Sequence, residues 1–245
     1  MLSPYDLWLV KKWPDDVETY VNKFWYWALP CTYDGQIYRS DADFLDKYHG
    51  SKIVIIGGGP STNDYLEDQF LFDYYPYTWS CNNYFKNQFL KNCRVDLAMI
   101  MPGIDTRSKE FLDRIDRDCP DIGIELHDRW FQSEKLKELR CRYSEAHMFF
   151  SHTRFFGKLG VGARMLILAA SLGVKEVSFI GFDGPVKGHS FEEGKFELPS
   201  QVSPEEAWKV YKYQYDELYD HLAKYYPFTS VKSIDKTNRL HEKVW

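Results

Sequence analysis

The sequence predicts a Rossmann-like α/β fold, a mostly parallel sheet with helices on both faces, preceded by an aromatic N-terminal helical arm. Short apolar runs alternate with helical stretches roughly six times along the chain. The first apolar run, residues 53–56, leads directly into three glycines. Polar residues follow several of the runs at the point where each predicted strand ends. Together these patterns predict a ligand-binding α/β domain.

Composition limits the possible classes of protein. The 245 residues suffice for a buried core, and the formal net charge of −5 disfavours a broad basic surface for nucleic acid. Five scattered cysteines without a C-x-x-C pair predict neither a disulfide framework nor a zinc site. No apolar run approaches the roughly 20 residues of a membrane span, and no signal peptide is recognisable. We therefore expect a cytoplasmic protein, in the host cytoplasm if it is viral.

The domain boundaries follow from this pattern. Residues 1–50 form the predicted arm, with short helices at 6–12 and 15–27 on either side of Pro14. We expect this arm to be a cap packed on the domain or, alternatively, an acceptor-binding or dimerisation arm. Residues 51–235 form the nucleotide-binding α/β domain, and residues 236–245 form a tail.

The later elements are predicted from periodicity and from residues typical of helix ends. After the first strand, we expect strands at 77–81, 95–101, 122–126, 147–151, 176–180 and 229–234, and helices at 62–72, 109–117, 131–141 and 163–172. Residues 185–204 are long, polar and aperiodic, which is typical of a lid. Ser203 as N-cap and Pro204 as first helical residue predict a final helix to about residue 224.

The glycine run predicts an anion site. Gly57, Gly58 and Gly59 let the backbone turn sharply and approach a ligand, and Pro60 and Ser61 suit the start of a helix with free N–H groups. Thr62 stands where the third glycine of a dinucleotide fingerprint would be, and a P-loop motif is absent. The alternative is a tight turn without a ligand.

Right-handed crossovers place the carboxyl ends of parallel strands at one edge of the sheet. The polar residues expected at this edge are Gly57–Ser61, Asn82, Asn83, His127, Asp128, His152, Arg154, Asp183 and His189. Asn82 and Asn83 are either nucleotide ligands or turn formers. Asn82 also disfavours a nicotinamide dehydrogenase, which would have an acidic residue there. Asp116-Arg117-Asp118 has the letters of a metal-binding D-x-D motif, but its charged surroundings indicate a solvated helix face.

The order IVIIGGGPST, SCNNYF, DLAMIMPG, LGVKEVSFIGFDG and GHSF resembles one clan of enzymes. This clan joins the CMP-sialyltransferases of glycosyltransferase family 42 to the DUF115 proteins, which include 6-hydroxymethylpterin diphosphokinases. The resemblance covers roughly residues 52–192. It implies a GT-A-type Rossmann-like fold and a nucleotide as the ligand.

The resemblance also implies roles for individual residues. The set Gly57, Gly59, Pro60 and Ser61 would bind the phosphate or ribose, Asn82 the nucleotide, and Asp183 matches the aspartate of the family's G-x-D. His189 resembles the general base of the sialyltransferases and, equally, the histidine that follows G-x-D in DUF115 proteins. Gly58 replaces a family asparagine, and a second family asparagine is missing at Met101 or Pro102. The positions of two phosphate-binding tyrosines hold Pro185 and Phe191, which disfavours sialic acid as the sugar.

We therefore predict a metal-independent glycosyltransferase with a CMP- or UDP-sugar donor and no obligatory cofactor. Such an enzyme must bind the leaving phosphate and remove a proton from the acceptor hydroxyl. Arg154 would add positive charge, and His189, Asp183 or His152 would be the base. The acceptor is a glycan or a hydroxylated base in DNA, extruded onto aromatic side chains of the arm.

Two alternatives remain open at this stage. A DUF115-type diphosphokinase would use ATP and Mg²⁺, although the chain shows no obvious carboxylate cluster for two metal ions beyond Asp183 and Asp128. A non-catalytic nucleotide-binding protein would tolerate replacement of Asp183 and His189.

Overall fold

The computed structural model describes most of the α/β domain and two short stretches before it. The described residues are 7–10, 38–40, 43–65, 70–101, 104–125, 138–139, 142–143, 148–153, 160–184, 190 and 203–235.

The strands within these residues form one sheet. They are β1 (Leu7–Val10), β2 (Tyr38–Ser40), β3 (Lys52–Ile56), β4 (Tyr77–Cys81), β5 (Leu97–Ile100), β6 (Asp121–Glu125), β7 (Met148–Thr153), β8 (Glu176–Ile180) and β9 (Ser230–Ser233). The α-helices are α1 (Phe70–Tyr74), α2 (Lys109–Asp118), α3 (Val161–Ser171) and α4 (Pro204–Tyr225). Short 3-10 helices span Asp43–Tyr48, Pro60–Tyr65, Tyr84–Lys86 and Gln88–Leu90.

The strand order is β2-β1-β7-β6-β5-β4-β3-β8-β9. From β7 to β9 every neighbouring pair is parallel. The chain leaves β3 on one side to build β4 to β7, then returns to place β8 on the other side of β3. The sheet therefore reverses its direction of growth between β3 and β8, and ligands bind beyond the carboxyl ends of strands at such a point.

Alternating side chains of the central strands supply two cores, one on each face of the sheet. Ile53 and Ile55 of β3 pack with α3, α4 and the 3-10 helix Asp43–Tyr48. Val54 and Ile56 face the opposite side and pack with α2 and the short 3-10 helices that follow β4. Because both faces are covered, β3 is apolar throughout its buried length, as expected of a central parallel strand. The predicted mostly parallel sheet with helices on both faces is confirmed.

The N-terminal prediction is wrong at residues 7–10, which form a strand instead of a helix. This strand, β1, pairs antiparallel with β7 and parallel with β2. The segment Leu-Trp-Leu-Val is bulky and apolar, so it suits a strand once β7 offers an edge, and this long-range pairing overrides the local helical spacing. The helix predicted at 15–27 lies outside the described residues, as does most of the helix predicted at 131–141.

The D-x-D segment fits the expectation of a solvated face at Asp116 and Arg117, which are exposed, but not at Asp118. Asp118 is buried, and its carboxylate accepts hydrogen bonds from Arg114 Nε at 2.7 Å and from Arg117 Nε at 2.8 Å. It also accepts a hydrogen bond from the backbone N–H of Val95. Asp116 is bonded to Arg142 and Tyr143. Both carboxylates therefore have a structural explanation in ion pairs and hydrogen bonds.

The connections decide which helix ends lie near the carboxyl ends of the strands. The chain leaves β7 and β8 at their carboxyl ends and must return to the amino ends of β8 and β9, because these strands are parallel. Consequently α3 and α4 both begin near the carboxyl edge of the sheet and run back along it. The first turns of these two helices are thus brought to the edge at which the sheet direction reverses.

Candidate functional site

A cavity of about 190 Å³ lies at the carboxyl edge of the sheet, beyond β3, β4 and β8. Its described walls are the glycine loop 57–59, the end of β4, the first turn of α3, the loop 181–184 and one face of α4. Five separate stretches of chain thus meet in one cavity at the reversal point between β3 and β8. This position is the usual ligand site of an open α/β sheet.

The glycine loop is bare because it packs directly against the loop after β8. A Cβ on Gly59 would stand 1.9 Å from Asp183 Oδ2, and a Cβ on Gly57 would stand 2.4 Å from the carbonyl oxygen of Gly181. Gly181 itself has φ +79°, a conformation that favours glycine. The three glycines predicted a close approach of the backbone to a ligand. At Gly57 and Gly59, however, the backbone closely approaches the loop after β8 of the same chain.

Several amides of this loop already have intramolecular partners. The N–H of Gly57 donates to the carbonyl of Ile180 at 2.7 Å, and that of Gly59 donates to the carbonyl of Gly181 at 2.8 Å. The N–H of Ser61 donates to Asp183 Oδ2 at 2.9 Å. The helix beginning at Pro60 is a six-residue 3-10 helix. The loop therefore offers fewer free donors to a phosphate than the sequence predicted.

Asp183 ties the two loops together from a buried position. Only 2% of its surface is exposed, and it lies between Gly59 and the N–H of Ser61. Among the described residues that line the cavity, Asp183 is the only Asp, Glu, Lys, Arg or His. A buried carboxylate repels a phosphate, but it accepts hydrogen bonds from hydroxyl or amino groups.

Asn82 combines the two roles that the sequence left open. It has φ +53°, and its Oδ1 accepts a hydrogen bond from the N–H of Met101 at 3.1 Å, so it forms the turn after β4. It also lines the cavity. Asn83 precedes the 3-10 helix Tyr84–Lys86 and makes no side-chain cap there. It is not among the described residues that line the cavity.

Two tyrosines of α4 line the cavity, and sequence analysis missed both. Tyr211 and Tyr215 are one helical turn apart, so they point to the same side of α4. Burial raises the pKa of both phenols, and the negative charge of Asp183 contributes at Tyr215. Both hydroxyls therefore remain protonated. The i, i+4 spacing near the middle of the helix, together with the position of the helix after β8, could have identified them.

Cys81 adds a thiol to the wall at the end of β4. Burial raises its pKa to about 12, so the thiol stays protonated and is a poor nucleophile at neutral pH. We assign it a packing role in the wall.

The structure brings together some of the sequence-predicted residues. Gly57, Gly58, Gly59, Asn82 and Asp183 line the cavity, and Ser61 is bonded to Asp183. Pro60 begins the 3-10 helix as predicted. His127, Asp128, Arg154 and His189 lie outside the described residues.

His152 is placed differently from the sequence prediction. It lies inside β7, where it pairs with Trp8 of β1, instead of following the strand. Because β7 is four strands away from β3, it is about 19 Å distant along the sheet. The structure therefore does not bring His152 to the cavity.

The described residues contain neither a cluster of metal ligands nor a membrane-spanning helix. No group of three or more His, Cys, Asp or Glu side chains within the described ranges is arranged to hold a metal ion. No helix in the same ranges is long and apolar enough to cross a membrane.

Solved structures with a similar fold include sialyltransferases. The monofunctional α-2,3-sialyltransferase Cst-I from Campylobacter jejuni aligns over 84% of this chain and 81% of its own, with 15% identity and a TM-score of 0.52. The sialyltransferase Cst-II in complex with CMP aligns over 77% of this chain and 83% of its own, with 15% identity and a TM-score of 0.49. At this identity the similarity to Cst-I shows a common fold. No protein-family model and no curated protein matches the sequence.

Proposed function

We propose that the chain is a glycosyltransferase that moves a sugar from a nucleotide-sugar donor to an acceptor hydroxyl. The observation that carries the proposal is the cavity between the carboxyl ends of β3 and β8, which holds the residues of the sequence resemblance, Gly57, Gly59, Asn82 and Asp183. The fold shared with Cst-I, an α-2,3-sialyltransferase, supports it.

The described cavity suits the nucleoside half of the donor better than its phosphate. Its volume of about 190 Å³ is below the roughly 300–1,000 Å³ of typical ligand sites, and Asp183 is the only acidic or basic side chain among its described lining residues. Ribose hydroxyls or a base amino group donate hydrogen bonds to a carboxylate, whereas a phosphate does not. We infer that Asp183 and Asn82 bind the nucleoside and that the phosphate lies at the mouth of the cavity.

The transfer requires that a base take the proton of the acceptor hydroxyl while the bond from the sugar to the phosphate breaks. The acceptor oxygen then forms the new glycosidic bond, and the nucleotide leaves with the electrons of the broken bond. Asp183 Oδ2 already accepts a hydrogen bond from the N–H of Ser61. This favours Asp183 as a residue that binds and positions the donor over Asp183 as the base that takes the proton.

His189 remains the proposed base. The next residue, Ser190, donates its N–H to the carbonyl of Gly58 at 2.8 Å, so the chain reaches the edge of the cavity immediately after His189. A histidine with its ordinary pKa near 6.5 can accept the proton at neutral pH. We propose a glycan hydroxyl as acceptor and a mechanism without an obligatory metal. A hydroxylated base in DNA stays a prediction that depends on the arm 1–50.

A thermal-shift panel tests the proposal with CMP, UDP, GDP, ATP and NAD, each with and without Mg²⁺. We expect CMP or UDP at about 100 times its Kd to raise Tm by roughly 5–11 °C without Mg²⁺, because ligand binding then adds about 2.7 kcal/mol to the free energy of unfolding. The variants Asp183→Asn and Asn82→Ala should lose most of this shift. Stabilisation by ATP only with Mg²⁺ would favour the diphosphokinase instead, and no stabilisation at all would reject the proposal.

Activity provides the second measurement. Release of CMP or UDP from sugar nucleotides, followed with a panel of glycan acceptors, should fall about 10²- to 10⁴-fold in His189→Ala, as expected for loss of a general base. Donor binding in the thermal-shift assay should persist in this variant. Full activity of His189→Ala would assign the base elsewhere.

A further inference from the structure

Four successive backbone carbonyls, from the end of β3 through the glycine loop, each accept a hydrogen bond from the protein. The pairs are Ser80 Oγ to the carbonyl of Ile56 at 2.6 Å, Asn87 Nδ2 to that of Gly57 at 3.2 Å, the N–H of Ser190 to that of Gly58 at 2.8 Å, and Thr62 Oγ1 to that of Gly59 at 2.9 Å. A carbonyl held in this way presents its negative end to the protein and not to a ligand.

Three of these donors are buried side chains for which the proposed reaction has no direct use. Thr62, Ser80 and Asn87 are each at most 2% exposed, and none of them is among the described residues that line the cavity. Burying a polar side chain costs free energy unless it is hydrogen-bonded. Because all three donate to the backbone that builds the cavity wall, we infer that they serve the conformation of this backbone.

Asn87 connects the two ends of the glycine loop. Besides the carbonyl of Gly57, its Nδ2 donates to Thr62 Oγ1 at 3.4 Å, and that hydroxyl holds the carbonyl of Gly59. Its Oδ1 accepts from the N–H of Phe89 at 3.0 Å. Since both ends of the amide group are bonded, Asn87 holds one orientation and fixes both carbonyls at once.

The N–H groups of the same loop leave one donor for a ligand. Those of Gly57, Gly59 and Ser61 donate to oxygens at or after the end of β8. Within the described part of the chain, the N–H of Gly58 has no hydrogen-bond partner, and Gly58 is half-buried and lines the cavity. A loop whose carbonyls are bound to the protein and whose N–H is unused favours a negatively charged oxygen of a ligand.

We propose that Asn87, with Thr62 and Ser80, positions the glycine loop for the phosphate of the nucleotide. The three side chains hold the carbonyls of the loop away from the ligand, and the N–H of Gly58 donates to a phosphate oxygen at the mouth of the cavity. This inference rests on the proposed function, because it assumes that the cavity binds a nucleotide. It adds the part of the nucleotide that the loop contacts, and three positioning residues that do not touch the ligand.

Calorimetry of the full chain tests this inference, with CMP and UMP as nucleotides and with cytidine and uridine as the same ligands without a phosphate. The wild type should bind the nucleotides about 10-fold or more tightly than the nucleosides, as one hydrogen bond to a charged group implies. In Asn87→Ala the Kd for CMP or UMP should rise about 10-fold as this bond weakens. The Kd for cytidine or uridine should stay the same, which a merely structural role of Asn87 would not produce.

Ser108→Ala is the matched control for the helix cap that Asn87→Ala also removes. Asn87 is the N-cap of the 3-10 helix Gln88–Leu90, and Ser108 is the N-cap of α2, where its Oγ accepts from the N–H of Phe111. Both variants should lower Tm, but Ser108→Ala should leave every Kd unchanged.

A pair of variants at Thr62 isolates the hydroxyl. Thr62→Val keeps the shape of the side chain and removes the donor to Gly59, so it should weaken CMP or UMP and spare the nucleosides, as Asn87→Ala does. Thr62→Ser keeps the hydroxyl and should bind nucleotides nearly as the wild type does.

The outcomes distinguish this inference from the proposed function. If the wild type binds neither nucleotides nor nucleosides, both fail. If it binds nucleotides no more tightly than nucleosides, only the phosphate contact of the loop fails. Equal weakening of nucleotides and nucleosides in Asn87→Ala and Thr62→Val, or unchanged Kd values in both, would likewise overturn it, because these side chains would then serve only the fold.

Discussion

Position 59 needs a glycine because another residue of the protein occupies the space that a side chain would fill. The carboxylate of Asp183 occupies the space that a Cβ would need, and the same carboxylate accepts a hydrogen bond from Ser61. The sequence indicated that these glycines permit a close approach, and it also singled out Asp183. It did not indicate that the two would contact each other, because they are more than a hundred residues apart along the chain.

Gly59→Ala tests this contact. The new methyl group must displace Asp183, so we expect a loss of about 1–3 kcal/mol in the free energy of unfolding and weaker nucleotide binding. Gly160→Ser is the matched control, because its Cβ meets no described atom and serine is at least as favourable as glycine at this N-cap of α3, so its stability should change by less than about 0.5 kcal/mol. Urea unfolding of both variants checks the difference, and equal stability of the two would contradict the contact.

At the scale of elements, α3 and α4 contribute more residues to the wall of the cavity than their sequences indicated. Each is a helix that packs on the sheet, but each also begins at the carboxyl edge because it connects parallel strands. The start of α4 was correctly predicted from Ser203 and Pro204. The contribution of Tyr211 and Tyr215 depended on the path of α4 across the sheet, which local sequence does not encode.

Ser203→Ala should disturb this start of α4. Ser203 Oγ accepts from the N–H of Glu206 at 3.2 Å, and Glu206 Oε2 accepts from the N–H of Ser203 at 3.0 Å, which forms a capping box. Its loss should lower Tm by about 2–4 °C. Lys209→Ala, an exposed change one turn later, should lower it little. Circular-dichroism melting measures both, and equal shifts would argue against the capping box.

At the scale of the whole molecule, the order of the strands decides which residues form a site. The predicted edge of the sheet collected His152 with Asp183, since both follow or end strands. The observed order separates β7 from β3 by four strands and places β8 beside β3. Residues at the same edge can therefore be close together or about 19 Å apart.

The stability of the whole molecule should depend on pH through His221. This side chain is 5% exposed in α4, and burial, with a smaller contribution from Lys224, lowers its pKa to about 4. Below pH 6.5 the unfolded chain binds a proton that the folded protein excludes until about pH 4. Folding stability should therefore fall as the pH drops, by about 2 kcal/mol at pH 5 relative to pH 7.5.

Urea unfolding at pH 7.5 and pH 5 measures this loss, and His221→Leu supplies the comparison. A leucine cannot be protonated, so the variant should lose less stability than the wild type over the same interval. If the two proteins lose equal amounts, other groups carry the pH dependence.

The sequence by itself determined the fold class, most of the elements between residues 52 and 235, the glycine turn and the start of α4. These depend on local periodicity, on helix caps and on the buried character of parallel strands, all of which are determined by residues that are close together in the sequence. Only the tertiary structure decided that residues 7–10 join the sheet, that Asp183 fills the space beside Gly59, and that Gly160, Tyr211 and Tyr215 share a cavity with Asn82. These facts depend on the order of the strands and the paths of the helices, which contacts between distant residues select.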